Sequence, residues 1–217
     1  MFPNSDKNPA AASIPQLYQR HARAWEQARG DKLQEGAWLD RLTEGLPQGA
    51  AVLDVGCGNG RPIAAELVRR GFRVTGVDVA PALLASAEAA LSGAEWIEAD
   101  MRTLNLGRCF DAVLAWHSFF HLDEEDQRTT LPRLAAHLAP GAPLMWTAGP
   151  AAGIAMGEWE GEPLFHASLL REEYASLLAM QGCAVEQVWL GHPIADGPTV
   201  YLARRQISPA SGLDGSA

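Results

Sequence analysis

The feature that most constrains the fold of this chain is a regular alternation of strand-like and helix-like segments. Seven short runs have the length and composition of strands, and they lie at 50–55, 72–77, 95–98, 110–115, 143–147, 184–190 and 199–203. Helical patterns follow Gly60, Pro81, Asp123 and Leu170. Such alternation predicts a parallel sheet with right-handed crossovers and helices on both faces.

The two ends of this pattern modify the prediction. The last two strands are joined by "GHPIADGP" with no helix between them, so we expect an antiparallel hairpin at one edge of the sheet. Two helices, at 14–29 and 32–44, precede the first strand. The predicted fold is therefore α/β, with a seven-stranded mixed sheet that is mostly parallel and ends in an antiparallel C-terminal hairpin.

Local composition sets the predicted domain limits. Residues 1–13 and 206–217 are rich in small and polar residues without apolar periodicity, so we expect both to be flexible tails. The segment 149–169 contains many glycines and small residues, which predicts an irregular loop. Between the tails, 14–205 is predicted to be a single domain, whose first part, 14–45, forms a helical cap.

Charge and composition exclude several classes of protein. A formal net charge of −9 disfavours nucleic acid as a partner. No apolar run is long enough to span a membrane and no signal peptide is evident, so we expect no membrane association and a cytoplasmic location. Cys57, Cys109 and Cys183 are far apart and lack metal-ligand spacing, so neither a disulfide framework nor a metal site is predicted.

A glycine-rich turn, "DVGCGNG" at 54–60, follows the first strand. Glycines let a backbone turn tightly and approach a ligand closely, and the helix that follows directs free N–H groups at the same place. Asp78 and Asp100 end the second and third strands. Ligands of doubly wound sheets bind at the carboxyl ends of strands, so the turn and both acids predict a nucleotide-type site.

Two nucleotide cofactors compete for this turn. A dinucleotide fingerprint, G-x-G-x-x-G, needs a third glycine at position 61, where the chain has Arg61. The observed spacing, G-x-G-x-G with Asp54 two residues before the first glycine, resembles motif I of the class I S-adenosylmethionine-dependent methyltransferases. The resemblance extends over nearly the whole chain and implies a Rossmann-like fold.

The resemblance also implies roles for individual residues. Asp54 and the glycines would surround the methionine moiety, Asp78 with Val79 would take the ribose, and Asp100 with Met101 would take the adenine. An N-terminal helix would close over the cofactor as a lid. The implied cofactor-binding residues are Tyr18, Trp25, Asp54, Gly56, Cys57, Gly58, Gly60, Arg61, Asp78, Val79, Asp100, Met101, Arg102, Ala115, Trp116 and His117.

Each of these residues also has a structural alternative. Asp54 and Asp78 would serve equally as turn or helix caps, and Cys57 is a small turn residue to which no chemistry is assigned. The first helix would equally shield the sheet. Phe119 and Phe120 are assigned to packing. The joint occurrence of acids and glycines at successive strand ends favours cofactor binding.

Histidines supply the candidates for catalysis and acceptor binding. An imidazole titrates near working pH, so His117 and His121 are the predicted general-base candidates. Predicted contacts with the methyl acceptor are Tyr18, His21, His121, Glu162, Phe165 and His166, with ordering of the 149–169 loop as the alternative for the last three.

The predicted function is transfer of a methyl group from S-adenosylmethionine to a small-molecule acceptor, which leaves S-adenosylhomocysteine. The alternatives are a nicotinamide-dependent oxidoreductase and a cofactor-binding regulator without transferase activity. After the fourth strand the chain has "AWHSF" in place of an Asn-Pro-Pro-Tyr-like signature, which disfavours nucleobase or amide nitrogen as the acceptor. The chain is expected to act as a monomer or homodimer.

Overall fold

The computed structural model describes residues 8–191 and 197–207, and at its centre is a mixed sheet. Its seven strands are β1 Ala51–Val55, β2 Arg73–Asp78, β3 Ala94–Glu98, β4 Ala112–Ala115, β5 Pro143–Ala148, β8 Cys183–Trp189 and β9 Thr199–Arg205. They lie in the order β3-β2-β1-β4-β5-β9-β8. β6 Gly153–Trp159 and β7 Glu162–Ser168 form a separate two-stranded ribbon.

The predicted fold class is confirmed. Strands β1 to β5 pair in parallel, whereas β9 pairs antiparallel with both β5 and β8. The chain moves outward from β1 in one direction to β2 and β3, and then in the other direction to β4 and β5. The strand order therefore reverses between β1 and β4, which places a crevice at the carboxyl ends of these two strands.

Helices cover both faces of the sheet. Those of the described residues are α1 Pro9–Arg20, α2 Ala22–Arg29, α3 Gly36–Leu42, α4 Ile63–Arg69, α5 Pro81–Ala90, α6 Glu124–Ala136 and α7 Arg171–Ala179. The carboxylate of Asp123 accepts a hydrogen bond from the Asp126 amide and so caps α6 as predicted, and the helix continues through Pro132. No helix in the described ranges is long and apolar enough to cross a membrane.

Alternate residues of the central strands enter two different cores. In β1, Leu53 and Val55 pack into the core on the α6 side, whereas Val52 packs on the opposite side with residues of α3 and α4. In β4, Val113 and Leu114 are divided between the two cores in the same way. Because both faces are buried, these strands read as continuous apolar runs.

The N-terminal region differs from the prediction. α1 begins at Pro9 with Asn8 as its N-cap, and Ala11 is buried, so the prediction of a flexible tail is wrong for residues 9–13. The first predicted helix is divided at His21 into α1 and α2, and the second is shortened to α3. Residues 1–7 and 208–217, on which the tail predictions also fall, lie outside the described residues.

The segment 149–169 was predicted to be irregular, and this prediction is wrong. Here β6 and β7 form an antiparallel hairpin in register from Gly153–Ser168 to Trp159–Glu162. Glu160 and Gly161 both have positive φ, of 51° and 78°, as a tight two-residue hairpin turn requires. Strand β6 is almost wholly exposed, so its sequence lacks the alternation of buried and exposed residues that predicts a strand. In β7, Phe165 is fully buried against α1.

Candidate active site

A cavity of about 490 Å³ lies at the carboxyl ends of the central strands. α1 and α2 border it on one side, and β7 borders it on another. Most of the residues predicted from sequence line it, namely Tyr18, Trp25, Asp54, Gly56, Cys57, Gly58, Arg61, Asp78, Val79, Asp100, Met101, Arg102, Trp116, His117, His121 and His166. The structure therefore brings together, around one space, residues from α1, α2, β7 and the carboxyl ends of β1, β2, β3 and β4.

Two glycines of the turn after β1 are required by their surroundings. Gly56 and Gly58 have φ of +74° and +56°, in the left-handed region that disfavours side chains. A Cβ on Gly56 would lie 2.2 Å from Cβ of Ser118, and one on Gly58 would lie 2.6 Å from the Trp25 ring. The turn can therefore sit close to both the β4 loop and α2 only because these positions carry no side chain.

Gly60 and Ala115 were expected to contact the cofactor, but neither is among the residues that line the cavity. A Cβ on Gly60 would lie 2.4 Å from the Trp96 ring of β3, so this glycine makes room for the indole ring against the turn. Ala115 is fully buried at the end of β4 and belongs to the core.

The Asp78 carboxylate joins the end of β2 to two backbone turns. Its Oδ2 accepts a hydrogen bond from the Gly58 amide at 2.8 Å, and its Oδ1 accepts one from the Ala80 amide at 2.9 Å. The capping alternative is therefore present in the structure. Each carboxylate oxygen has a second lone pair, so these bonds leave acceptor capacity toward the cavity.

Asp54 is 3% exposed and lines the cavity, and no hydrogen bond joins its carboxyl group to any described residue. Burial raises its pKa to about 7, and repulsion from Asp78 adds to the shift. A buried carboxyl group without a partner is a costly arrangement unless a ligand completes it. Its position fits a cationic group.

The Asp100 carboxylate is engaged by Arg102. Its Oδ1 accepts from the backbone amide of Arg102 at 2.9 Å, and both oxygens accept from the guanidinium group. Arg102 also reaches Asp126 at 3.2 Å. The predicted adenine end of the cavity is thus bounded by a fixed ion-pair cluster.

His121 is fully engaged by protein groups. Its Nδ1 must donate to the Phe165 carbonyl oxygen, at 2.9 Å, because that oxygen can only accept. Its Nε2 therefore accepts from the hydroxyl of Tyr18, also at 2.9 Å. Burial lowers the pKa of His121 to about 3. His121 thus ties α1 to β7, and no ring nitrogen remains for a substrate proton.

His117 faces the cavity from the loop after β4. Its φ is 51°, in the left-handed region, and its backbone amide donates to Oγ1 of Thr147 at 2.8 Å. Desolvation by the surrounding protein lowers its pKa to about 4. The role of general base is therefore contradicted for His121, whose ring nitrogens are both engaged, and stays a prediction for His117, which is exposed.

Three residues predicted to contact the acceptor do not line the cavity. Two of them, Glu162 and His21, contact each other, with Nε2 of His21 2.6 Å from the Glu162 carboxylate. Glu162 also pairs with Arg20, so these contacts join the start of β7 to the α1–α2 junction at the rim. Phe165 is fully buried and packs on α1.

Sequence reasoning missed several residues of the cavity wall. Phe120, which was assigned to packing, lines the cavity, as do Arg29, Glu35, Leu164 and Asp126. Of these residues, only Phe120 could have been identified from the sequence, by the close spacing of aromatic residues after β4. The others lie on separate elements that only tertiary folding brings together.

Two comparisons with known proteins identify the domain. Residues 52–141 match the family model described as a methyltransferase domain. An amino pentose methyltransferase from Micromonospora echinaspora, solved with bound S-adenosylmethionine, superimposes with a TM-score of 0.65 at 25% identity, over 88% of this chain and 97% of that one. Residues 52–141 therefore form a methyltransferase domain, and the chain is similar to the class I S-adenosylmethionine-dependent methyltransferases, whose cofactor is S-adenosylmethionine.

Other relatives of this methyltransferase are more distant or match in part. A trans-aconitate 2-methyltransferase from Azoarcus sp. is 40% identical over 46% of this chain and 39% of its own length. A Burkholderia thailandensis 1,6-didemethyltoxoflavin-N1-methyltransferase shares the fold, with a TM-score of 0.72 at 20% identity over 95% and 93% of the two chains. The chain spans between 32% and 51% of the length of the curated relatives considered.

The cavity residues fit the cofactor of this methyltransferase family. S-adenosylmethionine carries an ammonium group and a sulfonium, and the carboxyl group of Asp54 lies beside the glycine turn, where a bound cation would favour its ionised form. Gly56 and Gly58 keep the turn free of side chains where a ligand approaches.

The raised pKa of Asp54 predicts how the stability of the ligand-free methyltransferase depends on pH. In the unfolded chain this carboxyl group ionises near pH 3.9, and in the folded chain near pH 7. Between these values the folded state binds more protons, so this group lowers the free energy of unfolding as pH rises, by up to ~1.4 kcal/mol per pH unit. Asp54→Asn should remove this slope in denaturant unfolding measured from pH 4.5 to 7.5. Equal slopes for the two proteins would contradict the assignment.

Proposed function

We propose that this methyltransferase transfers a methyl group from S-adenosylmethionine to a small-molecule acceptor held in the same cavity. One observation carries the proposal: the cavity has two different sides. The glycine turn and the acids at the strand ends line one side, and Tyr18, Phe120 and His166 line the other. The first side suits the nucleotide cofactor, and the second leaves room for an acceptor beside it.

The strand-end acids would position the cofactor. Asp78, held by the Gly58 and Ala80 amides, would accept the ribose hydroxyls with its free lone pairs. Asp54 would face the ammonium group of the methionine moiety. Bound cofactor supplies an electrophilic methyl group on a positively charged sulfur, so the remaining task of the chain is to align the acceptor and exclude water.

The cover over the cavity would supply this exclusion. Trp25 of α2 lies against Gly58, and Tyr18 of α1 is held by His121. The rim ion pairs of Glu162 join α1 and the α1–α2 junction to β7. We propose that α1 and α2 act as a lid whose movement admits the cofactor.

Calorimetry tests the cofactor assignment directly. We expect S-adenosylmethionine and S-adenosylhomocysteine to bind and NADH not to bind, because Arg61 stands where the dinucleotide fingerprint has glycine. Incubation with S-adenosylmethionine and a metabolite extract, read by mass, should then show a product heavier by one methylene. Binding of NADH without binding of S-adenosylhomocysteine would contradict the proposal, and binding with no methylated product would favour the regulator.

A further inference from the structure

We propose that the acceptor is an uncharged aromatic molecule with a hydroxyl group, and that His166 takes the proton of that hydroxyl as the methyl group is transferred. This inference rests on the proposed function and extends it to the class of acceptor. Three features of the cavity carry it: its charge, its aromatic wall and the imidazole of His166 within that wall. Among the described residues, His117 and His166 are the two cavity-lining histidines whose rings have no hydrogen-bond partner, and His166 is the one packed against both Phe120 and His121.

The charge of the cavity opposes a polycarboxylate acceptor. The lining contains the arginines Arg29, Arg61 and Arg102 and the carboxyl groups of Glu35, Asp54, Asp78, Asp100 and Asp126. Each arginine already has a carboxylate partner, with Arg29 2.7 Å from Glu35, Arg61 3.3 Å from Asp31 and Arg102 3.2 Å from Asp126. An incoming carboxylate would have to displace one of these pairs and approach the remaining acids.

The same acids disfavour an aliphatic amine. Carboxylates near an ammonium group stabilise its charged form and raise its pKa. A protonated amine has no lone pair with which to attack a methyl group. A neutral hydroxyl acceptor meets neither obstacle.

An aromatic wall faces the acceptor side of the cavity. The rings of Phe120 and His166 have centroids 5.2 Å apart, His121 and His166 are 4.9 Å apart, and Phe120 and His121 are 4.8 Å apart. Leu164, two residues before His166 on β7, lines the same space. Rings at these separations form a surface that suits a planar aromatic guest.

His166 is the imidazole in this wall that is available to a ligand. His121, which touches it, has both ring nitrogens engaged, whereas no hydrogen bond joins the His166 ring to any described residue. The groups around it are Phe120 and His121 from the loop after β4, Gly157 from β6 and, more distantly, His117. Desolvation lowers the pKa of His166 and so favours the neutral ring, which keeps a lone pair for a proton.

The proposed step balances as follows. The hydroxyl oxygen forms a bond to the methyl carbon while the electron pair of the carbon–sulfur bond stays on sulfur. The hydroxyl proton moves to a ring nitrogen of His166 and then to water through the cavity mouth. The products are a methyl ether, S-adenosylhomocysteine and one released proton.

Two phenols of different acidity separate a proton-accepting role from a packing role. At pH 7, 4-methylphenol is neutral, since its hydroxyl resembles that of tyrosine with a pKa of about 10, whereas 4-nitrophenol is substantially ionised. We expect His166→Phe, which keeps an aromatic ring, to lose on the order of 100-fold in kcat toward 4-methylphenol. Its kcat toward 4-nitrophenol should change little, and KM for both should be nearly preserved. S-adenosylhomocysteine formation is the readout.

A matched variant and a third acceptor complete the experiment. Glu158→Gln, at an exposed position on β6, should leave both rates unchanged. Equal losses for the two phenols would make His166 a packing residue and overturn the proton role. Faster transfer to trans-aconitate than to either phenol, or transfer to no phenol, would overturn the acceptor class. Calorimetric binding of S-adenosylhomocysteine to the same protein shows whether such a failure extends to the proposed function.

Discussion

The Gly56→Ala variant should lose S-adenosylhomocysteine affinity by roughly 100-fold or more, equivalent to about 2.7 kcal/mol. The added Cβ would stand 2.2 Å from Cβ of Ser118, whose hydroxyl donates to the Val55 carbonyl oxygen at 2.7 Å. Either the turn or the β4 loop must move, and both line the cavity. Calorimetry with S-adenosylhomocysteine and thermal unfolding measure the two consequences.

Gly45→Ala is the matched control for this substitution. Gly45 has φ of +75°, almost the same as the +74° of Gly56, but nothing lies within 4 Å of the Cβ it would gain. Gly45→Ala should therefore cost only the strain of left-handed backbone, about 1–2 kcal/mol in stability, and should preserve affinity. If both variants bind S-adenosylhomocysteine equally well, the close approach at Gly56 does not shape the cofactor site.

Asp78→Ala is expected to have the second largest effect, again a loss of roughly 100-fold in affinity for S-adenosylhomocysteine, which is the scale of two or more hydrogen bonds to a charged acceptor. The variant removes the acceptor proposed for the ribose and frees the Gly58 amide from its 2.8 Å bond. Stability should fall less than affinity, because burial raises the pKa of Asp78 and its removal relieves that desolvation. Calorimetry and denaturant unfolding are the measurements.

Asp111→Ala is the matched control that separates the two roles of Asp78, which are binding the cofactor and accepting hydrogen bonds from backbone amides. Asp111 also accepts from a backbone amide, that of Ala51 at 2.8 Å, but at the opposite end of β1 and outside the cavity lining. Its removal should lower stability and leave cofactor affinity intact. Parental affinity in a folded Asp78→Ala protein would show that Asp78 serves only as a backbone cap.

The parts of the site that sequence reasoning located share one property. The turn at Gly56, the acid at Asp78 and the acid at Asp100 lie at the carboxyl ends of β1, β2 and β3, and parallel strands bring these ends to one edge of a sheet. A local pattern thus specifies a shared position in space. Local signals also predicted the starts of α5 and α6, from Pro81 in the first turn of α5 and from Asp123 as the N-cap of α6.

Local pattern failed where a residue's role depends on distant partners. His121 was a base candidate by its residue type, but the Phe165 carbonyl and the Tyr18 hydroxyl, 44 and 103 residues away in sequence, engage both ring nitrogens. Gly60 belongs to motif I by spacing, yet Trp96 of β3 accounts for the absence of a side chain. Neither partner can be read from the residues next to these positions.

The sequence by itself determined the order of strands and helices, the mixed sheet and the acids and glycines at its carboxyl edge, because hydrophobic periodicity and turn chemistry act over a few residues. Only the tertiary structure decided that 149–169 forms a hairpin, that residues 9–13 belong to α1, and that His166 faces the cavity. The hairpin and α1 gain their stability by packing on each other through Ile14 and Phe165. Such long-range burial leaves no periodic signal in either segment alone.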